Sequence, residues 1–176
     1  MKRALVAYFS VSGVTAKLAQ KLAGQIGADV FEIQALSPYT QEDLDWRDSK
    51  SRSTVEMKDP ACRPPMAEIP QGIRNYDLIF VGFPIWWYRH PSIIDSFLES
   101  ADFSGKTIVP FTTHAGPGEG EAFGQISRLC PASTVLPGLS LVGNTNNEMS
   151  QNALRGRRAA EAEQQVQAWL GIPSTR

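Results

Sequence analysis

The stretch Ala4-Leu5-Val6-Ala7-Tyr8-Phe9-Ser10-Val11-Ser12-Gly13-Val14-Thr15 decides the fold. Its first half, residues 4–9, is a continuous apolar run, which suits a central parallel strand buried on both faces. Its second half is a small polar loop with hydroxyls at Ser10, Ser12 and Thr15. Beyond it, Val14, Leu18, Leu22 and Ile26 recur at every fourth position, one face of an amphipathic helix over 14–26. Gly27 suits a left-handed helix end. Residues 29–33, DVFEI, alternate and read as a strand near a sheet edge. Strand, loop, helix and strand in about 30 residues is the pattern of a right-handed parallel crossover.

The pattern repeats downstream, after an interruption. Residues 36–72 are polar and proline-rich (Pro38, Pro60, Pro64, Pro65, Pro70) and carry no strand signal. Within them 40–57 reads as a partly exposed helix with Thr40 as N-cap and Asp43 near its start. An insert of this length in a compact domain is usually functional or mobile. Residues 76–84, YDLIFVGFP, form the next buried strand. An aromatic loop follows at 85–91, then a helix over 92–100 with Pro91 suited to its first turn. Residues 106–113 are a third buried strand, 114–120 a glycine-rich loop, and 121–130 a helix with Phe123, Ile126, Leu129 and Cys130 inward. A last strand is expected at 134–142, a polar loop at 143–150 and a closing helix at 152–170, where Trp169 reads as core. Strand and helix alternate along residues 1–176, which predicts a single domain: an open, doubly wound α/β sheet with helices on both faces.

Composition narrows the functions. The chain has 176 residues, 42% hydrophobic and 20% charged, an ordinary globular balance. Lys and Arg number 17 against 18 Asp and Glu, a net charge of -1. No overall field favours nucleic acid or an anionic membrane. The basic run Arg155-Gly156-Arg157-Arg158 reads as a solvated helix face. Cys62 and Cys130 have no metal-ligand spacing and no adjacent base, so neither a zinc site, a disulfide nor a reactive thiol is expected. Asp43, Asp45 and Asp48 lack calcium-loop spacing. No apolar run reaches the roughly 18 residues of a membrane span. Met1-Lys2-Arg3 before a short apolar run reads as the start of a strand and not as a signal peptide, and the expected compartment is cytoplasmic.

In doubly wound folds, ligands bind at the carboxyl ends of the strands, where strand order reverses. The three unusual loops all follow strands and sit at those ends. The first offers hydroxyls and N–H groups entering a helix, which suits a phosphate. It lacks G-x-x-x-x-G-K-[ST] and G-x-G-x-x-G, so a phosphomonoester is favoured over a triphosphate or a dinucleotide. The second, with Trp86, Trp87 and Tyr88, suits stacking on a flat ring. The third is rich in small residues that bring N–H groups close to a planar ligand's polar edge. His114 lies there, and a lone histidine reads as a satisfied polar residue before it reads as an acid or base. His90 borders the helix after Pro91.

These loops resemble those of the flavodoxin-like proteins that bind flavin mononucleotide (FMN), along nearly the whole chain. Ser10, Ser12, Gly13 and Thr15 occupy the positions of that family's [ST]-x-[ST]-G-x-[ST] phosphate motif. Gly82 to Trp87 and Thr112 to Gly118 are similar to its two ring-binding loops. The long insert with Arg63-Pro64 near its end resembles a bacterial flavodoxin-like subgroup. The resemblance implies a five-stranded sheet in the order 2-1-3-4-5. It assigns Ser10, Val11, Ser12, Gly13, Val14 and Thr15 to the phosphate. It places Pro84, Ile85, Trp86 and Trp87 on one side of the flavin ring, and Thr113, His114, Ala115 and Gly116 on the other. It implies FMN as cofactor and redox chemistry carried by it. It names no catalytic side chain and no metal.

The chain departs from the family's electron carriers, which are strongly acidic and stack aromatics from two loops. Here the net charge is -1 and the third loop has no aromatic. A small-residue loop leaves one flavin face open to a nicotinamide or a quinone. The leading expectation is therefore an FMN-dependent oxidoreductase passing electrons from NAD(P)H to a quinone or similar acceptor, with Trp46, Arg52 and Arg63 of the insert as candidates to cover the site. The alternative is an electron-transfer protein serving a partner reductase and an acceptor protein. A third reading is a regulatory flavin-binding module. Oligomerisation stays open.

Overall fold

The protein is described from a computed structural model, which covers residues 3–116 and 118–142 together with Gln164 and Ala168. The strands are β1 (Ala4–Tyr8), β2 (Asp29–Glu32), β3 (Leu78–Pro84), β4 (Thr107–His114), β5 (Thr134–Val135) and β6 (Leu139–Val142). The helices are α1 (Val14–Ile26), α2 (Arg52–Lys58), α3 (Ser92–Glu99) and α4 (Ala122–Leu129). The sheet runs β2-β1-β3-β4-β5, with β6 also on β4, and every pair is parallel. Val6 registers with both Val30 and Phe80, and Phe80 with Val109. The expected order is observed, with helices on both faces.

Alternation on the strands feeds two cores, one on each face. Leu5, Ala7, Ile79, Val81 and Ile108 point to the side where Ile93, Phe97 and Ile126 of α3 and α4 pack. Val6, Tyr8, Phe80 and Val109 point to the other, against Leu18, Ala19 and Leu22 of α1. The central strands read as continuous apolar runs because both faces are covered. β2 lies at the edge and is largely exposed.

Three expectations need correction. The strand expected over 134–142 is broken into β5 and β6, both on the same side of β4. Pro137 and Gly138 interrupt it. The Ile108 carbonyl on that side accepts from Leu136 N–H at 2.9 Å. Residues two apart on a strand face the same neighbour, so Pro110, which has no N–H, faces the gap. A Cβ at Gly138 would lie 2.5 Å from the Pro110 carbonyl oxygen and from Phe123, so the chain crosses there only without a side chain.

The helix expected over 40–57 is replaced by a run of turns, and only α2 forms, capped by Ser51. Thr40 and Asp43 do make a reciprocal pair: Thr40 N–H donates to Asp43 (2.9 Å) and Asp43 N–H to Thr40 (3.2 Å). The turn goes no further as a helix because Asp45 and Asp48 accept from the N–H groups of Arg47 and Lys50, offering the backbone a competing partner. Pro91, expected in the first turn of α3, stands one place earlier as its N-cap. The insert returns through an antiparallel bridge, Ala35 to Met66. The loop over 143–150, the Arg155–Arg158 run and Trp169 lie outside the described residues, as does the helix of 152–170 apart from Gln164 and Ala168, which are helical and exposed.

Candidate functional site

β1, β3 and β4 are neighbours in the sheet, so their three carboxyl-end loops lie side by side. β1 and β3 flank the point where strand order reverses. The first loop enters α1 through Gly13, whose φ of 85° is left-handed, a conformation glycine adopts without strain. Gly13 has no side chain to cap the helix, so the first-turn N–H groups of α1 start without a side-chain acceptor. Gly13 N–H itself donates to Ser10 Oγ at 3.1 Å. Val11 and Ser12 are exposed, while Val14 and Thr15 are buried.

Thr15 does not face solvent. Its hydroxyl oxygen lies 2.8 Å from that of Thr113 at the end of β4, and both residues are buried. The first and third loops are thereby fastened together. The second loop is fastened to the same strand: Ile85 N–H donates to the Thr113 carbonyl (3.1 Å), and Thr112 Oγ1 donates to the Phe83 carbonyl (2.6 Å).

The aromatic loop is a tight turn closed by two hydrogen bonds between Trp86 and Arg89, at 2.9 and 3.1 Å. Trp87 and Tyr88 fill its two central positions with φ of 46° and 64°. Glycine and asparagine normally occupy such positions, and each bulky residue stores about 1–2 kcal/mol of strain there. Trp87 and Tyr88 are 42% and 65% exposed. Trp86 instead packs inward, edge-on to Phe9 and to Tyr39 of the insert, at 5.7 and 5.5 Å between ring centres.

Tyr39 is the residue that sequence reading missed. It joins the insert to the aromatic loop, is covered by the Arg52 guanidinium at 4.0 Å, and donates to Glu56 at 2.5 Å. Burial first, and then the Glu56 hydrogen bond and charge, push its hydroxyl well above the ordinary tyrosine value. The only signal for it was an aromatic beside Pro38. Of the insert residues expected to cover the site, Arg52 lies over the Tyr39 ring and pairs with Glu56 at 2.8 Å. Arg63 pairs with Glu99 through two contacts of 2.8 Å, and Trp46 is 71% exposed.

The third loop approaches the second closely. Glu121 N–H donates to the Tyr88 carbonyl at 2.9 Å, and a Cβ at Gly120 would lie 2.1 Å from that oxygen. His114 is buried and its Nδ1 accepts from Gly118 N–H at 3.2 Å, so its own proton sits on Nε2. Burial lowers its pKa below the ordinary 6.5, with Glu119 pulling the other way. Ala115 and Gly116 are exposed, and nothing lies within 4 Å of a Cβ at Gly116. Pro84, Ile85 and Trp86 are half-buried. All fourteen residues expected from sequence thus lie on the three joined loops or their flanking ends.

Elsewhere, the Cys130 thiol is pushed up to about 11 by burial, and Cys62 is raised by burial and by Glu56. Among the described residues no cluster of His, Cys, Asp and Glu could hold a metal ion, and no helix is long and apolar enough to cross a membrane.

A sequence model described as flavodoxin matches residues 3–155. No curated protein matches the chain. Among solved structures, a protein of Bacteroides eggerthii, provisionally described as a flavoprotein, is 35% identical over all of both chains, with a TM-score of 0.81. Another of that description, from Bacteroides uniformis, is 39% identical over 85% of this chain and 96% of its own, with a TM-score of 0.78. A flavoprotein of Lactobacillus acidophilus, solved in complex with FMN, shares the fold at 20% identity, covering 87% of this chain and 99% of its own, with a TM-score of 0.65. With the family match running through all three loops, the chain belongs to the flavodoxin family.

Proposed function

We propose that the three loops bind FMN and that the protein is an oxidoreductase passing electrons from NAD(P)H to a quinone or similar acceptor. The observation that carries the reading is the Thr15–Thr113 hydroxyl contact. It joins the loop suited to a phosphate to the loop suited to a ring edge, so one elongated ligand with both features is the natural occupant. The residues fit that group. The uncapped start of α1, with the Ser10 and Ser12 hydroxyls around it, suits a dianionic phosphate. Trp87, exposed at the tip of its turn, offers a flat apolar face. The small residues Ala115 and Gly116 allow N–H groups close approach to a ring edge.

FMN supplies the electron chemistry when bound, taking up two electrons from a donor and releasing them to an acceptor. The chain's own residues bind and orient. Val11, Gly13 and Val14 contribute backbone at the phosphate. Pro84, Ile85 and Trp86 hold the base of the aromatic turn. His114 presents an Nε2–H donor while its Nδ1 fixes the third loop through Gly118. The third loop carries no large side chain between His114 and Gly116, which leaves room for a planar substrate beside the ring.

The test is an anaerobic visible-absorbance titration of the FMN-loaded protein with NADPH and with NADH. Rapid bleaching of the flavin band by either supports the oxidoreductase. A flavin that stays oxidised until a reductase or dithionite is added would assign the protein to the electron carriers instead.

A further inference from the structure

A cavity of about 260 Å³ lies between α3 and α4, under the end of the insert. Its charged lining comes from separate parts of the chain: Arg63 from the insert, Arg89 from the base of the aromatic turn, Arg128 from α4 and Asp95 from α3. Three guanidiniums thus face one carboxylate. That carboxylate is already engaged by His90 Nε2 at 2.7 Å, and lies 3.7 Å from Arg89 and 3.9 Å from Arg63. It pairs with Arg89 and Arg63, and Arg63 is paired with Glu99 as well, so of the three guanidiniums Arg128 alone has no carboxylate partner among the described residues.

The three arginines differ in how they are held. Arg63 is committed to Glu99 and to two backbone carbonyls, and forms a fixed rim. Arg89 makes only long contacts of 3.2–3.5 Å, to Met57 O, Ser92 Oγ and His90 O, at or beyond the weak end of hydrogen-bond geometry. Arg128 is exposed and makes no ion pair among the described residues. Gln125, also in the lining, has a buried amide oxygen with no hydrogen-bond partner.

We propose that this cavity is a phosphomonoester subsite, and that it receives the phosphate of a phosphorylated nicotinamide nucleotide. A phosphomonoester carries about -1.5 to -2 charge at neutral pH and three strong acceptor oxygens, so it can engage the unpaired Arg128 and the loosely held Arg89 together. The pocket is open to solvent and holds about 260 Å³, below the roughly 300–1,000 Å³ of a whole-ligand pocket. Arg89 directly follows Tyr88, so the arginine wall begins where the aromatic turn ends. The assignment to a nicotinamide nucleotide rests on the function proposed above and selects NADPH over NADH.

The test uses FMN-loaded protein and isothermal titration at fixed ionic strength. Adenosine 2′,5′-bisphosphate is compared with adenosine 5′-monophosphate and with inorganic phosphate, on wild type, Arg128→Ala and Arg128→Lys. The expected results are about tenfold tighter binding of the bisphosphate than of the monophosphate, about a tenfold loss in Arg128→Ala, and partial retention in Arg128→Lys. The preference of kcat/KM for NADPH over NADH falls by a similar factor in Arg128→Ala. Equal binding of the two nucleotides, or no effect of Arg128→Ala, would overturn the subsite. Binding of inorganic phosphate as tight as the bisphosphate would overturn the nucleotide assignment in favour of free phosphate. If neither nicotinamide bleaches the flavin, the oxidoreductase reading fails, but the bisphosphate titration still reports on the cavity.

Discussion

The hydroxyl oxygens of Thr15 and Thr113 lie 2.8 Å apart, joining the first turn of α1 to the end of β4 across 98 residues of sequence. Both are buried, so each hydroxyl depends on the other. Thr15→Val or Thr113→Val alone leaves a buried hydroxyl without its partner and is expected to cost about 1–3 kcal/mol. The double valine variant costs less than the two singles together. Urea denaturation of the four proteins in a double-mutant cycle checks this, and strict additivity would mean that the contact carries no energy.

Trp87 and Tyr88 hold left-handed backbone that glycine would accept freely. Tyr88 is 65% exposed, so Tyr88→Gly removes little packing. The released strain of about 1–2 kcal/mol exceeds the roughly 0.5–1 kcal/mol of backbone entropy that glycine adds. The flavin-free variant is therefore expected to be as stable as wild type or more stable, by up to about 1 kcal/mol, in thermal or urea unfolding. A loss of stability would show that the turn is not strained.

A Cβ at Gly82 would lie 2.1 Å from the ring of Phe111, which crosses the face of β3 at that point. Both belong to central, fully buried parts of the sheet. Gly82→Ala is expected to destabilise by about 1–3 kcal/mol through overpacking. Phe111→Leu in the same chain recovers part of that loss, and its failure to do so in denaturation experiments would place the clash elsewhere.

His114 is neutral in the fold because burial lowers its pKa below 6.5. As pH falls through 6.5, the unfolded chain takes up a proton before the folded one does. The unfolded state then binds more protons, so stability falls as pH falls and is fully present above 6.5. Protonation at Nδ1 would also remove the acceptor for Gly118 N–H. In His114→Asn, which keeps an acceptor but does not titrate, the acid loss between neutral pH and pH 5 should be reduced. Unfolding midpoints measured across that range decide it, and parallel curves for the two proteins would remove His114 from the account.

The β1–α1–β2 unit was legible because its signals are local. The apolar run of β1, the spacing of Val14, Leu18 and Leu22, and Gly27 all act within a few residues. Gly27 ends α1 with φ 65°, as the sequence suggests. The break between β5 and β6 was also written locally, in Pro137-Gly138, but its cause lies partly in Pro110 on the neighbouring strand. The helix expected from Thr40 failed because a capping pair predicts only a first turn, and the aspartates that follow bind their own backbone. Tyr39 had no periodicity to mark it, and its role depends on Trp86 and Arg52, which only the folded chain brings near. The three loops could be read as loops, but the Thr15–Thr113 contact that unites them could not.

The central claim is that the joined loops hold a flavin through its phosphate. The most direct measurement is a fluorescence titration of the flavin-free protein with FMN and with riboflavin, repeated on Ser10→Ala/Ser12→Ala. The account predicts one FMN bound per chain, riboflavin bound far more weakly, and an FMN affinity in the double variant lower by about 1–3 kcal/mol for each phosphate hydrogen bond lost. Riboflavin binding as tightly as FMN, or an unchanged FMN affinity in the double variant, would contradict it.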